Sequence, residues 1–316
     1  TPETYCLGTG PFIRYSEGQD PLEPFKKASS LKAMSLRRYD RISKKATYAM
    51  EAAITAASEM LGNMERNRIG LVLGTGLGTL ETSLSCLDKI FEHGDRYCSP
   101  MSFMNSVHNS IAANLSQTFD LQGPNLTLSA GSLSFEQAFA QGSMLLKCGQ
   151  ADIVIVGAVE ESSATLEAAR EKCTEDNIDC SGFAGPPQES VCFIVLSLAK
   201  YESSPSNHDS PLSPLSLKCH FSHTGKEFNQ LQWDTVTSQL SHDDLQKSEE
   251  MLTFKFLDQR PIDRSSTMSK SITPVSTSLL FMEARQKIIQ GEIDSSLLLS
   301  YDAITSQHSL LHLQKN

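Results

Sequence analysis

Ser132 stands where a strand should give way to a helix. The stretch GPNLTLSAGSLSFEQAFAQG, residues 123–142, opens on a Gly-Pro turn and alternates through Leu126, Leu128 and Ala130. It then passes through Gly131 and Ser132 into residues of helical spacing. Hydrolases and acyltransferases place nucleophiles at such bends, so Ser132 is a candidate nucleophile. An isolated hydroxyl has no useful anionic fraction and would need a general base beside it. The plain alternative is a small residue that starts the helix. Two other groups invite a chemical reading. Gly74-Thr75-Gly76-Leu77-Gly78 follows the apolar run Arg68–Leu73 as a phosphate-binding loop would. It lacks both the G-x-G-x-x-G spacing and a following Gly-Lys-Ser/Thr, which favours a tight turn with close backbone packing. Cys219, His220 and His223 form the closest metal-ligand grouping, without an obvious fourth ligand.

The elements that would position these groups alternate in type. Tyr5–Thr9, Arg68–Leu73, Asn125–Ala130, Ala151–Val156, Glu189–Ala199, Leu215–Phe221, Ser296–Tyr301 and Gln307–Leu313 read as strands. Ser43–Leu61, Ser83–Phe91, Ser110–Phe119, Ser134–Cys148, Glu160–Glu175 and Ile272–Gln290 read as helices, and the first is rich in alanine. Ser99-Pro100-Met101 reads as the start of a loop. Gly18–Pro24, Gly182–Pro187 and the proline- and serine-rich Tyr201–Pro214 read as turn or loop, and Gln239–Glu250 is too polar for a core. The order implies a layered α/β chain whose strands, apolar throughout, are covered on both faces.

The 316 residues are 39% hydrophobic, enough for a large core in one domain or two. A net charge of -10 gives no general attraction for nucleic acid or anionic membranes. No apolar run approaches the length of a membrane span, and no signal peptide is visible at Thr1, so the expected location is cytoplasmic. The eight cysteines form no C-x2-C pair and are read as scattered free thiols.

Several segments together resemble the β-ketoacyl synthases of the thiolase-like superfamily. Gly123-Pro124, the short strand and Ser129-Ala130-Gly131-Ser132 resemble that family's G-P, strand, T-A-C-S-S and helix. Leu36–Arg41 with the alanine-rich helix resembles its first long helix. IGLVLGTGLG, residues 69–78, is similar to its strand and glycine turn. The loop 99–109, the segment Ala151–Gly157 with Glu160, and Gly182-Phe183 with the following strand also agree in order. The resemblance covers roughly residues 5 to 200. Residues 273–302 echo the family's last helix and strand more weakly. It implies a thiolase-like layered α-β-α-β-α fold with an abbreviated C-terminal half. Residues 1–200 would form the N-terminal β-ketoacyl-synthase-like half, and 201–316 a shortened half completing the same fold.

The same resemblance puts the catalytic equipment in question. Ser132 falls where the family has its acylated cysteine, whose thiolate is accessible near neutral pH and whose thioester stays reactive. The family's two histidine motifs are absent. Ser222-His223-Thr224-Gly225 is a short echo of one of them, and His223 is carried as a weak catalytic candidate beside a surface-loop reading. Tyr301–His308 takes the place of the family's glycine-rich acyl gate without its glycines. His108 sits where the family has its dimer seam and acyl pocket, and reads either as an interface or pocket residue or as an ordinary satisfied histidine.

A condensing-enzyme fold without the active cysteine resembles a chain length factor. That reading implies a non-catalytic partner in a heterodimer with a competent ketosynthase, in type II polyketide or aryl polyene synthesis. The phosphopantetheine would be carried by the acyl carrier protein of the complex, met through that partner, and the chain itself would hold no cofactor or metal. Leu128 would belong to the strand shared across the dimer axis. Met101, Phe103, Met104, Phe135 and Phe139 would line the acyl tunnel or the interface, each with plain core packing as its alternative. Competing readings are an active, divergent β-ketoacyl-ACP synthase using Ser132, another transferase or hydrolase on the same fold, and a non-enzymatic assembly protein.

Overall fold

The computed structural model describes residues 4–9, 13–14, 26–27, 29–31, 36–175, 189–198, 215–223, 250–253, 276–293, 295–302 and 307–315. The loop and polar segments 18–24, 182–187, 201–214 and 239–249 lie outside the described residues.

Three mostly apolar strands set the architecture. β3 (Ile69–Gly74), β5 (Ile153–Glu160) and β6 (Ser190–Ser197) are buried at every position. That requires cover on both faces, and two distinct apolar clusters supply it. β3 pairs in parallel with β5 on one side and with β4 (Asn125–Leu128) on the other. β6 runs antiparallel to β5. β1 (Thr4–Thr9) lies antiparallel between β6 and β7 (Leu215–His223), and short β2 (Ile13–Arg14) also pairs with β6. Beyond β7 come β10 (Gln307–Lys315), β9 (Ser295–Asp302) and β8 (Glu250–Thr253). The order is β4-β3-β5-β6-β1-β7-β10-β9-β8, with β4 at one edge. The β1–β7 pairing therefore joins strands of both sequence halves in one continuous ladder.

Helices fill the faces. Asp40 caps α1 (Arg41–Ala56) by accepting the Ser43 N–H at 2.8 Å, and the helix presents Ala46, Ala49 and Ala53 fully buried. It shares one face of the first strands with α4 (Ser110–Phe119), against Leu71, Leu73, Ile155 and Val195. Small side chains there bring the helix backbone close to the sheet. The opposite face meets α5 (Ser134–Lys147), whose Phe135, Ala138 and Phe139 pack with Val72, Val154, Val156 and Ile194. α7 (Ser276–Gln290) joins the same cluster through Phe281, Ala284 and Ile288, together with Leu298 and Leu311 of β9 and β10. The described residues thus form four layers: α1/α4, the first strands, α5/α7 and the last strands. The Phe135 and Phe281 rings meet edge-on across the central helix layer at 6.0 Å. Burying each such ring stabilises the fold by roughly 1.5–3 kcal/mol.

Three expectations need correction. Ser99-Pro100-Met101 starts a helix, α3 (Pro100–Asn105), because Ser99 accepts the Ser102 N–H and Pro100 occupies a first-turn position where its missing donor costs nothing. Glu160 ends β5 rather than opening a helix; α6 spans Ala164–Glu175, with Ser163 accepting the Leu166 N–H at its start. The cysteines are not all free thiols. Cys86 of α2 (Leu80–His93) is disulfide-bonded to Cys98, because Gly94 reverses the chain at a positive φ of 96° and brings the two Cα atoms to 5.5 Å. Cys148 is exposed as a free thiol.

Candidate functional site

The turn that holds Ser132 is built by its neighbours. Gly131 takes a φ of 54°, a left-handed conformation that glycine adopts without strain. A single turn of tight helix, Gly131–Leu133, then leads into α5. Ser134 fixes the bend: its fully buried Oγ accepts the Ala130 N–H at 3.0 Å and donates to the Gly131 carbonyl at 2.7 Å. Gly74, at the end of β3, presses against this corner so closely that a side-chain carbon would overlap the Ser134 carbonyl. β9 lies against the same turn. Ser132 therefore sits at the C-terminal mouth of the parallel strands, where open α/β sheets place their ligand sites.

The glycine-rich loop beside it is already occupied by the protein's own carboxylate. Glu160 accepts the Gly76 N–H at 2.8 Å and the Leu77 N–H at 3.0 Å. Thr75 donates its N–H to the Leu128 carbonyl and accepts the Gly78 N–H through its hydroxyl. Ser129 Oγ donates to the Gly76 carbonyl at 3.1 Å, tying the loop to the Ser132 strand. Donors that a phosphate loop would offer to a ligand are here internal, in line with the tight-turn reading. Burial pushes the Glu160 carboxyl up to about 8, and the two backbone donors oppose that rise. Glu161 is pushed up to about 7, again mainly by burial, with the Glu81 N–H and the Arg41 charge opposing. Arg41 bridges Glu161, the Ser162 carbonyl and Glu189, and Lys45 also pairs with Glu189. Sequence reasoning singles out Glu160 but misses Arg41, Lys45, Glu161 and Glu189. The available signal is a pair of carboxylates directly after an apolar strand.

The structure brings Leu128, Ser132, the glycine loop and His108 to this end of the sheet. The exposed His108 packs its ring on Gly78, where an added carbon would stand 3.1 Å away. Met101, Phe103 and Met104 lie on α3, with Phe103 and Met104 63% and 64% exposed. Phe135 and Phe139 point the other way, into the core, with essentially no exposure. His223 ends β7 opposite Gln307, two strands from β9. Cys219 and His220 lie in the same strand. Asp302 pairs with Gln307 where the family has its gate, and 303–306 lie outside the described residues. Among the described residues no helix is long and apolar enough to cross a membrane.

A layered α/β fold with a small residue at the strand–helix corner, beside a glycine turn held by a buried glutamate, defines a thiolase-like protein. The β-ketoacyl synthase N-terminal domain matches residues 18–184, and the chain belongs to that family. The 3-oxoacyl-[acyl-carrier-protein] synthase 2 of Vibrio cholerae is 31% identical over 125 residues, 39% of this chain and 30% of that protein, so the match spans under a third of that relative. A type II polyketide acyl carrier protein in complex with its ketosynthase, AntDE:AntF, superposes with a TM-score of 0.75 over 99% of both chains, at 15% identity. The ketosynthase ApeO in complex with its chain length factor ApeC, from Xenorhabdus doucetiae, gives 0.70 over 99% of this chain and 98% of that one, at 11% identity. At these identities the superpositions establish likeness of fold.

Proposed function

We propose that this chain is a non-catalytic, chain length factor-like subunit that pairs with a competent ketosynthase. The observation that carries the reading is Ser132 at the corner where the family holds its cysteine, without either family histidine motif. A serine there lacks the thiolate that makes the acyl transfer and the later carbanion attack facile. The partner subunit would supply the nucleophile, and the acyl carrier protein would bring the phosphopantetheine-borne substrate to that partner. This chain would complete the dimer and close the far end of the partner's acyl tunnel.

Two features support the pairing. β4 is an edge strand among the described residues, and an unpaired ladder invites a second chain. α3, close in sequence to that edge's supporting helix α4, carries exposed Met101, Phe103 and Met104. Phe135 and Phe139 fill the central layer immediately after the Ser132 turn and would act as the tunnel floor by leaving no room for further methylenes. The test is intact-mass analysis of the original chain and Ser132→Ala, each with partner ketosynthase and acyl carrier protein. No acyl adduct should appear on either, and product should form with both. An adduct lost on Ser132→Ala, or product abolished with assembly intact, would instead make this an active synthase using Ser132.

A further inference from the structure

The corner formed by α2, the turn at Asp95–Tyr97 and α3 carries little of its own core. In α2 the only buried side chain is Cys86, and the last two turns expose Leu87, Asp88, Lys89, Phe91, Glu92 and His93. α3 is anchored firmly at its far end. The Asn105 carbonyl accepts from Thr79 Oγ1 at 2.6 Å and from Ser110 Oγ at 3.1 Å, and its amide donates to the Arg38 carbonyl at 2.9 Å. The near end of α3 is held to α2 by the Cys86–Cys98 disulfide, whose cysteines are twelve residues apart in sequence. Between these anchors stand Met101, Phe103 and Met104, exposed and apolar.

We infer that Cys86–Cys98 is a thiol–disulfide exchange site that controls how this corner presents its apolar side chains. Its substrate class is a dithiol. Cys98, half-exposed, is the sulfur a thiolate can reach, whereas Cys86 is buried. The incoming thiolate bonds to Cys98 Sγ, and Cys86 leaves as a thiolate and takes a proton. The second thiol of the dithiol then displaces Cys98, giving two protein thiols and the cyclised, oxidised dithiol. Two electrons pass from dithiol to protein. Opening the bridge releases one of the two anchors of α3, while the Asn105 network keeps the other.

The identity of the protein that reads this surface rests on the pairing proposed above, and the exchange site itself does not. The experiment is hydrogen exchange on the full chain, air-oxidised and then treated with dithiothreitol. Peptides covering 95–104 should exchange roughly tenfold faster or more after reduction, while β3 and β5 remain protected. The Cys86→Ser/Cys98→Ser variant should match the reduced protein and ignore dithiothreitol. Unchanged exchange at 95–104, or a double variant that still responds, overturns the proposal. Capture of the ketosynthase subunit by oxidised and reduced chain completes the test. Weaker capture after reduction supports control of the surface, and equal capture in both states despite altered exchange overturns it. Capture in neither state refutes the pairing, and the exchange rates at 95–104 then decide the site alone.

Discussion

Two helices of fourteen residues each, α2 and α5, follow the two parallel strands β3 and β4 and share little else. α5 buries Phe135 and Phe139 between two layers, and its first residue, Ser134, satisfies the backbone of the corner before it. α2 buries one cysteine and leaves Phe91 82% exposed. Both sequences have helical hydrophobic spacing, so patterning alone does not separate them. What differs is whether a second layer arrives to cover the apolar side. α5 receives α7; among the described residues α2 receives the short α3, the turn at Asp95–Tyr97 and a disulfide. The apolar residues of α2 are exposed to whatever the chain meets, and the proposed pairing would cover them from another chain, whereas the Ser132 corner is locked from within.

The largest effect should come from the sheet edge beside α5. The Leu128 and Pro124 carbonyls accept from the N–H groups of Thr75, just past the end of β3, and Leu71 within it. Backbone groups at even-numbered residues of β4 therefore face inward, and those of Asn125 and Thr127 face the open edge. Leu128, the sequence's candidate for the dimer strand, is the wrong position for a proline, which would break the internal ladder there. Thr127→Pro removes an outward donor instead. The lone chain should tolerate it, as edge strands tolerate proline. Assembly with the partner should be abolished, as measured by light scattering. An intact complex carrying Thr127→Pro would exclude this edge from the interface.

Next in size is the core of α5. Phe139→Ala should cost about 3–5 kcal/mol in denaturant unfolding, since its ring is buried in the apolar cluster between the first strands and α7 and its removal takes away that burial and opens a void. If the side chain also floors the tunnel, the surviving complex should make a longer product, read by product mass with excess malonyl carrier protein. The lost stability without any change in length would leave Phe139 a core residue only.

A smaller effect separates the glycine loop from both helices. Burial raises Glu160 to about 8 and Glu161 to about 7 in the folded chain, from 4.5 for the ordinary carboxyl. The native state therefore holds these protons more tightly than the unfolded chain. That stabilisation is complete below the ordinary carboxyl value and is lost as pH rises through the two folded values. The melting temperature should fall across this interval. Glu160→Gln should flatten its share of the fall while lowering stability at acid pH, because an amide offers one acceptor oxygen to two N–H donors. An unchanged slope would mean that Glu160 is ionised throughout.

Much of this contrast is legible in the sequence, and the reason lies in how local each signal is. Ser110–Phe119 and the α5 helix follow from spacing and bounding turn residues, and the Ser132 corner from Gly123-Pro124 and Gly131. α3 escapes a loop reading of Ser99-Pro100-Met101 because Ser before Pro opens helices as well as breaking them. The Cys86–Cys98 pair depends on the reversal at Gly94, and the Arg41–Glu161–Glu189 network joins residues more than a hundred positions apart. Neither has a local signature. Exposure is likewise a property of the layers: Phe103 and Phe139 are equal in sequence as tunnel or core candidates, and only the packing separates them.

The smallest change in stability should come from the α3 corner, and it sharpens the contrast most. Phe103→Ala and Met104→Ala remove side chains that lie mostly in water, so each should alter the stability of the lone chain by no more than about 0.5 kcal/mol. Their value to the lone fold is slight because nothing within the described residues covers them. If the ketosynthase subunit covers them, truncation empties a contact desolvated only in the complex. A residue near the centre of such a contact costs more than about 1 kcal/mol of binding, with aromatic anchors at the upper end. Phe103→Ala should therefore weaken capture of the partner by about fivefold or more, with Met104→Ala losing less because a flexible thioether is more easily replaced by neighbours. Titration of the partner against each variant, beside its unfolding curve, reads both quantities from one preparation. Undiminished capture with undiminished stability would show that this apolar corner serves neither the fold nor the proposed partner.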